Sequence, residues 1–408
     1  MTDVFLARQP IFDRDLKVHA YELLYRASVN NYCPPDDLAH ASYRIISNVS
    51  MSMNLFNLTA GKKAFINITR EILLDEFVDL LPSDSVVVEL LETVEPDPEV
   101  ITACKRLKDL GYTLALDDYV DSPRYQPLLE LADIVKVDLL ATTPEEQEVL
   151  ARIPLKYKNI KLLAEKVETH EALQRTRRMG YQYFQGYFFC RPVVFVGKEL
   201  PGLKLQYLRL LQKVQKPNID WFELESIIKT DVSLSFKLLR YVNSTFFTRT
   251  SEVTSIRRAL IVLGERETRK WVSLMILAKL ADGKLDELIT QSVVRARLCE
   301  TLGRTAGLST RSEDLFLLGL FSLVDAMLDS DVERVVTELH LAGDLRNVLL
   351  GESKPGDPFH DVFSCVLAYE RGDWESLKAA LIGETAIELS PQYYLGAIKW
   401  TNEHQAFI

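Results

Sequence analysis

The residues of this chain that could do chemistry sit where short apolar runs end. Thr113-Leu-Ala-Leu runs into Asp117-Asp118, Ser85-Val-Val-Val into Glu89, and Ile160-Lys-Leu-Leu-Ala into Glu165. Glu22 and Asn67 lie inside similar runs, Lys136 and Asp138 share a sixth, and Gln185 closes a last one, with Glu168 three residues beyond Glu165. Adjacent strand residues point to opposite faces, so Asp117 and Asp118 can converge only where their strand gives way to loop. Acids gathered at one mouth repel and raise one another's pKa unless cations neutralise them. Oxygen ligands from carboxylates and one Asn amide suit Mg²⁺ or Mn²⁺ rather than zinc. Two such ions make a water nucleophilic and steady an in-line phosphoryl displacement, with Lys136 orienting that water or offsetting charge on phosphorus.

Such residues need a scaffold that brings strand ends together. Strand runs over about 4–12, 18–25, 63–69 and 85–90 are followed by helix 97–110, closed by Gly111, then by the Asp117 strand, helix 124–131 and the strand 133–138. Helix 144–152, the strand 160–165, helix 170–179 with its terminal Gly180 and the strand 183–188 complete the pattern. A further helix is expected at about 38–58. This is the rhythm of a closed parallel (β/α)8 barrel, of the TIM type, which places its chemistry beyond the C-terminal strand ends. An open doubly wound sheet would share the alternation, but its GxGxxG phosphate signal is absent. Pro10 marks the first strand as an edge strand.

The chain has 408 residues, enough for two or three domains. Its formal net charge of −10 argues against a nucleic-acid backbone as the main partner. Five scattered cysteines without a CxxC pair fit reduced thiols and a cytoplasmic location. Neither a membrane span nor a secretion signal is expected.

Taken in order, these blocks resemble the EAL family of bacterial phosphodiesterases, which linearise cyclic di-GMP to pGpG. The name-giving tripeptide reads Glu22-Leu23-Leu24 here; Phe65-Ile-Asn67, Glu89-Leu-Leu-Glu92, Asp117-Asp118-Tyr119, Val135-Lys136, Ala164-Glu165-Lys166-Val-Glu168-Thr and Gln185-Gly-Tyr-Phe follow. The resemblance implies that Glu22, Asn67, Glu89, Asp117 and Asp118 bind metal. It makes Glu22, Lys136 and Glu165 catalytic, Arg26, Gln185 and Glu168 substrate contacts, and Glu92 the brace of a catalytic loop. Three departures bear on activity, the first being Leu23 where the name motif has Ala. The family's glycine-rich loop after Asp-Asp-Phe is replaced by Val120-Asp-Ser-Pro-Arg-Tyr125, and its Gly after the sixth-block Glu by Lys166. A rewritten lid can remove turnover while leaving ligand contacts in place. The expectation is cyclic di-GMP binding with weak or absent hydrolysis; an active Mg²⁺-dependent phosphodiesterase and a nucleotide-independent scaffold are the alternatives.

Beyond Lys216-Pro217-Asn218 the sequence turns helical in period, giving an expected division into 1–198 and 199–408. Asp231, Leu238-Leu-Arg240, Asn243-Ser244, Ser255-Ile256, Ala259 and Leu263-Gly264 resemble the all-helical HDOD domain, a degenerate relative of HD phosphohydrolases. The stretch Leu315–Leu328 reads as one helix with Asp325 and no His, so metal chemistry is not expected there. The pair His360-Asp361 reads as loop, and Tyr369-Glu-Arg-Gly-Asp-Trp374 as an anchor for a terminal helix pair. This half is expected to bind an unidentified signalling protein.

Overall fold

In the computed structural model the described residues are 5–26, 55–75, 77–190, 202–215, 218–244, 253–281, 284–328, 332–339, 341–381, 387 and 389–405. They divide into two compact units. The first comprises Met1–Phe189, Leu367–Lys378 and Ser390–Leu395; the second comprises Cys190–Val366, Ala379–Leu389 and Gly396–Ile408. The expected cut between 198 and 199 lies outside the described residues.

Eight strands close the barrel of the first unit in sequence order: β1 Phe5–Phe12, β2 Val18–Arg26, β3 Lys63–Ile68, β4 Val86–Leu90, β5 Thr113–Leu116, β6 Ile134–Asp138, β7 Lys161–Glu165 and β8 Tyr183–Gln185. The alternation led to the expectation of a wholly parallel sheet, and the sheet departs from it at one strand. β1 runs antiparallel to both β2 and β8, because the four-residue turn Asp13–Leu16 joins β1 to β2 without a crossover helix. Nor is β1 an edge. Its pairing with β8 involves only Ile11 and Phe12, so Pro10 lies outside that ladder and removes no bond from it.

One apolar layer fills the barrel, with one residue from each strand: Ile11, Ala20, Phe65, Val87, Ala115, Ile134, Leu163 and Tyr183. None is more than 6% exposed, so the interior is packed core rather than a pore. Helices Pro98–Asp109 and His170–Met179 match their expected spans; Asp97 and Thr169 cap their first turns, and Gly111 and Gly180 follow with left-handed backbone. The expected helix 124–131 is a 3-10 turn, Pro123–Tyr125, followed by the single turn Gln126–Leu129. Pro123 and Pro127 break its register. Of the helix expected at 38–58, only Leu55–Thr59 lies within the described residues.

The second unit is helical. Asp220, Asp231 and Ser255 each accept a backbone N–H three residues on, capping the helices Trp221–Thr230, Val232–Val242 and Ile256–Leu280. The last is broken at Gly264, whose φ of 71° separates two helical runs. Asn243 bonds both backbone groups of Val253 at 2.8 Å, so this resembled residue serves the fold. Leu315–Leu328 is two helices rather than one, Ser312–Phe321 and Val324–Leu328, with the Ser322 hydroxyl donating to the Gly319 carbonyl at the break. His360-Asp361 is not loop: it occupies the first turn of the helix Pro358–Arg371, where Pro358 starts the helix and Asp361 accepts the Gly356 N–H.

Candidate active site

Two residues beyond each member of the apolar layer stands a polar side chain. The steps run Ala20 to Glu22, Phe65 to Asn67, Val87 to Glu89, Ala115 to Asp117, Ile134 to Lys136, Leu163 to Glu165 and Tyr183 to Gln185. Side chains recur on one face of a strand every second residue, so this is the next layer toward the C-terminal ends of the strands. On antiparallel β1 the same step runs backward, from Ile11 to Gln9, which lies opposite Glu22 in register. The barrel therefore delivers one polar side chain per strand to a single mouth.

At its centre stands Lys136, 1% exposed. Its ammonium pairs with Asp117 at 2.9 Å, Glu165 at 2.6 Å and Glu22 at 3.4 Å, and also with Glu89. Burial lowers the Lys136 pKa, but the surrounding carboxylates outweigh it and hold the group well above the usual lysine range. Burial also pushes Glu89 well above the carboxylate range, with Glu22 adding to it. Burial raises Glu165 to about 8 against the pull of Lys136. Gln185 Nε2 donates to Glu22 Oε2 at 2.6 Å and to Gln9 Oε1 at 3.0 Å, and Asn67 Nδ2 donates to Glu22 Oε1 at 3.3 Å.

Beyond the strand end, Asp118 takes a left-handed φ of 41°. That turn lets two consecutive carboxylates serve one region, because Asp tolerates this conformation better than most residues. Burial and neighbouring Asp117 raise the Asp118 pKa. Carboxylate oxygens of Glu22, Glu89 and Glu165 lie within 4.8 Å of one another, and so do those of Glu92, Asp117 and Asp118. The residues fit divalent cations on a further ground: Glu89 Oε2 and Asp118 Oδ1 are buried and accept no hydrogen bond. Buried oxygens without donors are costly unless a cation meets them.

Glu22, Asp117, Asp118, Lys136, Glu165, Glu168 and Gln185 line a cavity of about 380 Å³, together with Gln9, Leu24, Leu140, Lys166, Gly186 and Tyr187. Glu168 is exposed at its rim; Glu89 is buried, Asn67 is half-buried, and neither lines the cavity. Glu92, expected as a loop brace, is exposed with its carboxylate beside Asp117 and Asp118. The Arg26 side chain lies outside the described residues. Gln9 is the part of the mouth that the sequence did not reveal, whereas Lys166 was expected at its rim. Gln9 was hidden by the unforeseen reversal of β1.

The segment after Asp118 is tied down. Tyr119 N–H donates to the Lys136 carbonyl at 3.1 Å, Tyr125 Oη to the Glu92 carbonyl at 3.2 Å, and Arg124 pairs with Glu95 at 2.5 Å.

A closed eight-stranded barrel with acids ringing one lysine at its C-terminal mouth defines a TIM-type protein whose mouth gathers oxygen ligands of the kind that hold divalent cations. The EAL domain family matches residues 3–192, and the HDOD domain family matches residues 200–328. The uncharacterized protein YuxH of Bacillus subtilis is 32% identical over 405 residues, covering 97% of this chain and 98% of that one. The cyclic di-GMP phosphodiesterase CdgJ of Vibrio cholerae is 31% identical over 407 residues, covering 99% and 93%. A solved structure of the Bacillus subtilis YkuI protein, with an EAL domain and in complex with substrate c-di-GMP and calcium, is 22% identical; the match covers 66% of this chain and 72% of that one at a TM-score of 0.40. This chain belongs to the family that joins an EAL domain to an HDOD domain. No helix among the described residues is long and apolar enough to cross a membrane.

Proposed function

We propose that this chain is a cyclic di-GMP signalling protein whose barrel mouth binds the dinucleotide with Mg²⁺ or Mn²⁺ and linearises it slowly to pGpG. The observation that carries the reading is the Lys136 cluster: four carboxylates face one ammonium, and Glu89 still has an oxygen without a donor. Full-length similarity to a protein named as a cyclic di-GMP phosphodiesterase supports the choice of ligand.

Glu22, Asn67, Glu89, Asp117 and Asp118 would hold the cations, which supply an activated water and offset charge at phosphorus. Gln185 and Asn67 fix the Glu22 carboxylate by donating to its two oxygens. Lys136 stays protonated and orients its acids from the centre of their layer, a donor that costs no reorganisation during reaction. Glu165, 2.6 Å from the Lys136 ammonium, is the group placed to take a proton from an attacking water. Glu168 contacts the dinucleotide at the rim, and Arg26 is assigned to a phosphate from the family motif. The bonds that pin residues 119–125 favour slow turnover, since a lid that cannot move completes a catalytic site poorly. The HDOD half is the module for an unidentified signalling partner.

A second reading, a phosphodiesterase of ordinary rate, is favoured by the likeness to CdgJ. Product analysis on the full chain separates the two. Slow turnover, below about 0.1 s⁻¹ against a typical enzyme's roughly 10 s⁻¹, fits the first reading and ordinary turnover the second. The Glu22→Ala variant should lose both pGpG formation and stabilisation by Mg²⁺. Turnover undiminished in Glu22→Ala would remove the site assignment.

A further inference from the structure

The mouth is unevenly charged for a ligand that carries phosphodiesters. Five acids line its cavity, Glu22, Asp117, Asp118, Glu165 and Glu168, against two lysines. One of those, Lys136, is 1% exposed and committed to four carboxylates. The other is Lys166, whose side chain is 55% exposed and whose ammonium pairs with Asp138.

Lys166 is not a loose surface lysine. Asp138, 5% exposed in its side chain, is itself fixed by accepting the Leu140 N–H at 2.7 Å and the Ala141 N–H at 3.1 Å. The ammonium is thus anchored by an anchored acid, and an ammonium has three protons to donate. The backbone of Lys166 has a φ of 51°, a conformation that favours glycine. The fold therefore carries a long cationic side chain directly after Glu165 at a position where a side chain is conformationally disfavoured.

We infer that Lys166 is a ligand-binding residue of the mouth, donating a charge-assisted hydrogen bond to a phosphodiester oxygen of the bound cyclic dinucleotide. This rests on the reading of the mouth as a cyclic di-GMP site. Beside the bound divalent cations, it makes Lys166 a positive group on the exposed side of the cavity, whereas Lys136 is buried among the acids.

The test is equilibrium titration of the full chain with cyclic di-GMP in Ca²⁺, comparing the parent with Lys166→Gly, Lys166→Met and Lys166→Arg. Ca²⁺ affinity is measured alongside without nucleotide. Lys166→Gly and Lys166→Met should bind the dinucleotide about tenfold more weakly, the scale of one charge-assisted hydrogen bond. Lys166→Arg should stay near the parent, and Ca²⁺ binding should not weaken in any variant. Lys166→Gly binding as tightly as the parent overturns the inference. So does a loss of Ca²⁺ affinity that matches the loss of dinucleotide affinity, since that marks general disruption of the mouth. A parent chain that binds no cyclic di-GMP overturns the ligand assignment itself, a result distinct from an unaffected variant.

Discussion

Gly186 shows how closely single residues set this mouth. Its φ is 145°, and a Cβ placed there would lie 2.2 Å from the Val167 carbonyl oxygen and 2.4 Å from the Val167 nitrogen. Those same backbone groups are in use: Val167 N–H donates to the Gln185 carbonyl, and the Val167 carbonyl accepts the Phe188 N–H. The close approach aligns the segment carrying Glu165, Lys166 and Glu168 with the strand end carrying Gln185. Gly186→Ala should force these two segments apart. We expect a chain with a folded helical half but with cyclic di-GMP affinity reduced more than tenfold, measured by calorimetry beside circular dichroism. A variant that binds normally would show that the contact has slack that the geometry does not reveal.

At the scale of elements, the two-residue step from core layer to polar layer explains why much of the mouth was legible in the sequence. Alternation makes Phe65 and Asn67, or Val87 and Glu89, share a face whatever the rest of the chain does. Gln9 follows the same rule but was unreadable, because its place depends on β1 running backward, and no local pattern announces strand direction. The departure of Lys166 was visible, but its φ and its anchoring by Asp138 belong to the three-dimensional arrangement. In the second unit, helix periodicity puts Trp271, Leu274 and Leu277 on one stripe of the helix Ile256–Leu280, all buried, whereas Ala278 is only partly covered. It gave no hint of Glu300, which is fully buried on the helix Asp286–Thr305. Glu300 pairs with Lys270 at 2.5 Å, Arg297 at 2.7 Å and Arg266 at 2.8 Å, and with Arg304. Burial pushes its pKa up, but these cations, led by Lys270, outweigh it and bring it down to about 2. A carboxyl whose folded pKa lies below its unfolded value contributes stability that is present above about pH 4.5 and lost as pH falls toward 2. Glu300→Gln should therefore cost about 3 kcal/mol at neutral pH, since it strands a buried cation. The gap between parent and variant in denaturant melts should close over pH 4.5 to 2. A gap that persists unchanged into acid would contradict the ionic account.

At the scale of the whole molecule, the first unit is more than an N-terminal barrel. It includes Leu367–Lys378 and Ser390–Leu395, far along the chain. Tyr369 is fully buried, its hydroxyl accepts the Leu6 N–H of β1 at 3.3 Å, and its ring lies 5.6 Å from Trp374 and 4.9 Å from Tyr394. The Tyr187 hydroxyl donates to the Glu370 carbonyl at 3.4 Å, and the Arg371 guanidinium lies over the Tyr187 ring. The sequence suggested a helix-pair anchor here, and the junction is one: Gly372 ends Pro358–Arg371 and Asp373 caps Trp374–Leu381. Its attachment to β1 could not be read, since a contact between residues 6 and 369 leaves no trace in local pattern. Tyr369→Ala should destabilise the first unit by about 3–5 kcal/mol, the usual cost of removing a buried aromatic ring. It should leave the second unit's transition in place, which would appear as a split denaturation curve. A single unshifted transition would show that the attachment carries no stability.

Divalent cations and a cyclic dinucleotide are predicted to meet at the ring around Lys136. Calorimetric titration of the intact chain with cyclic di-GMP, first with chelator and then with Ca²⁺, tests this most directly. Saturable one-to-one binding that requires the ion, and that Glu22→Ala abolishes, is the predicted result. Binding undiminished by chelator and by Glu22→Ala, or no binding in either condition, would contradict it.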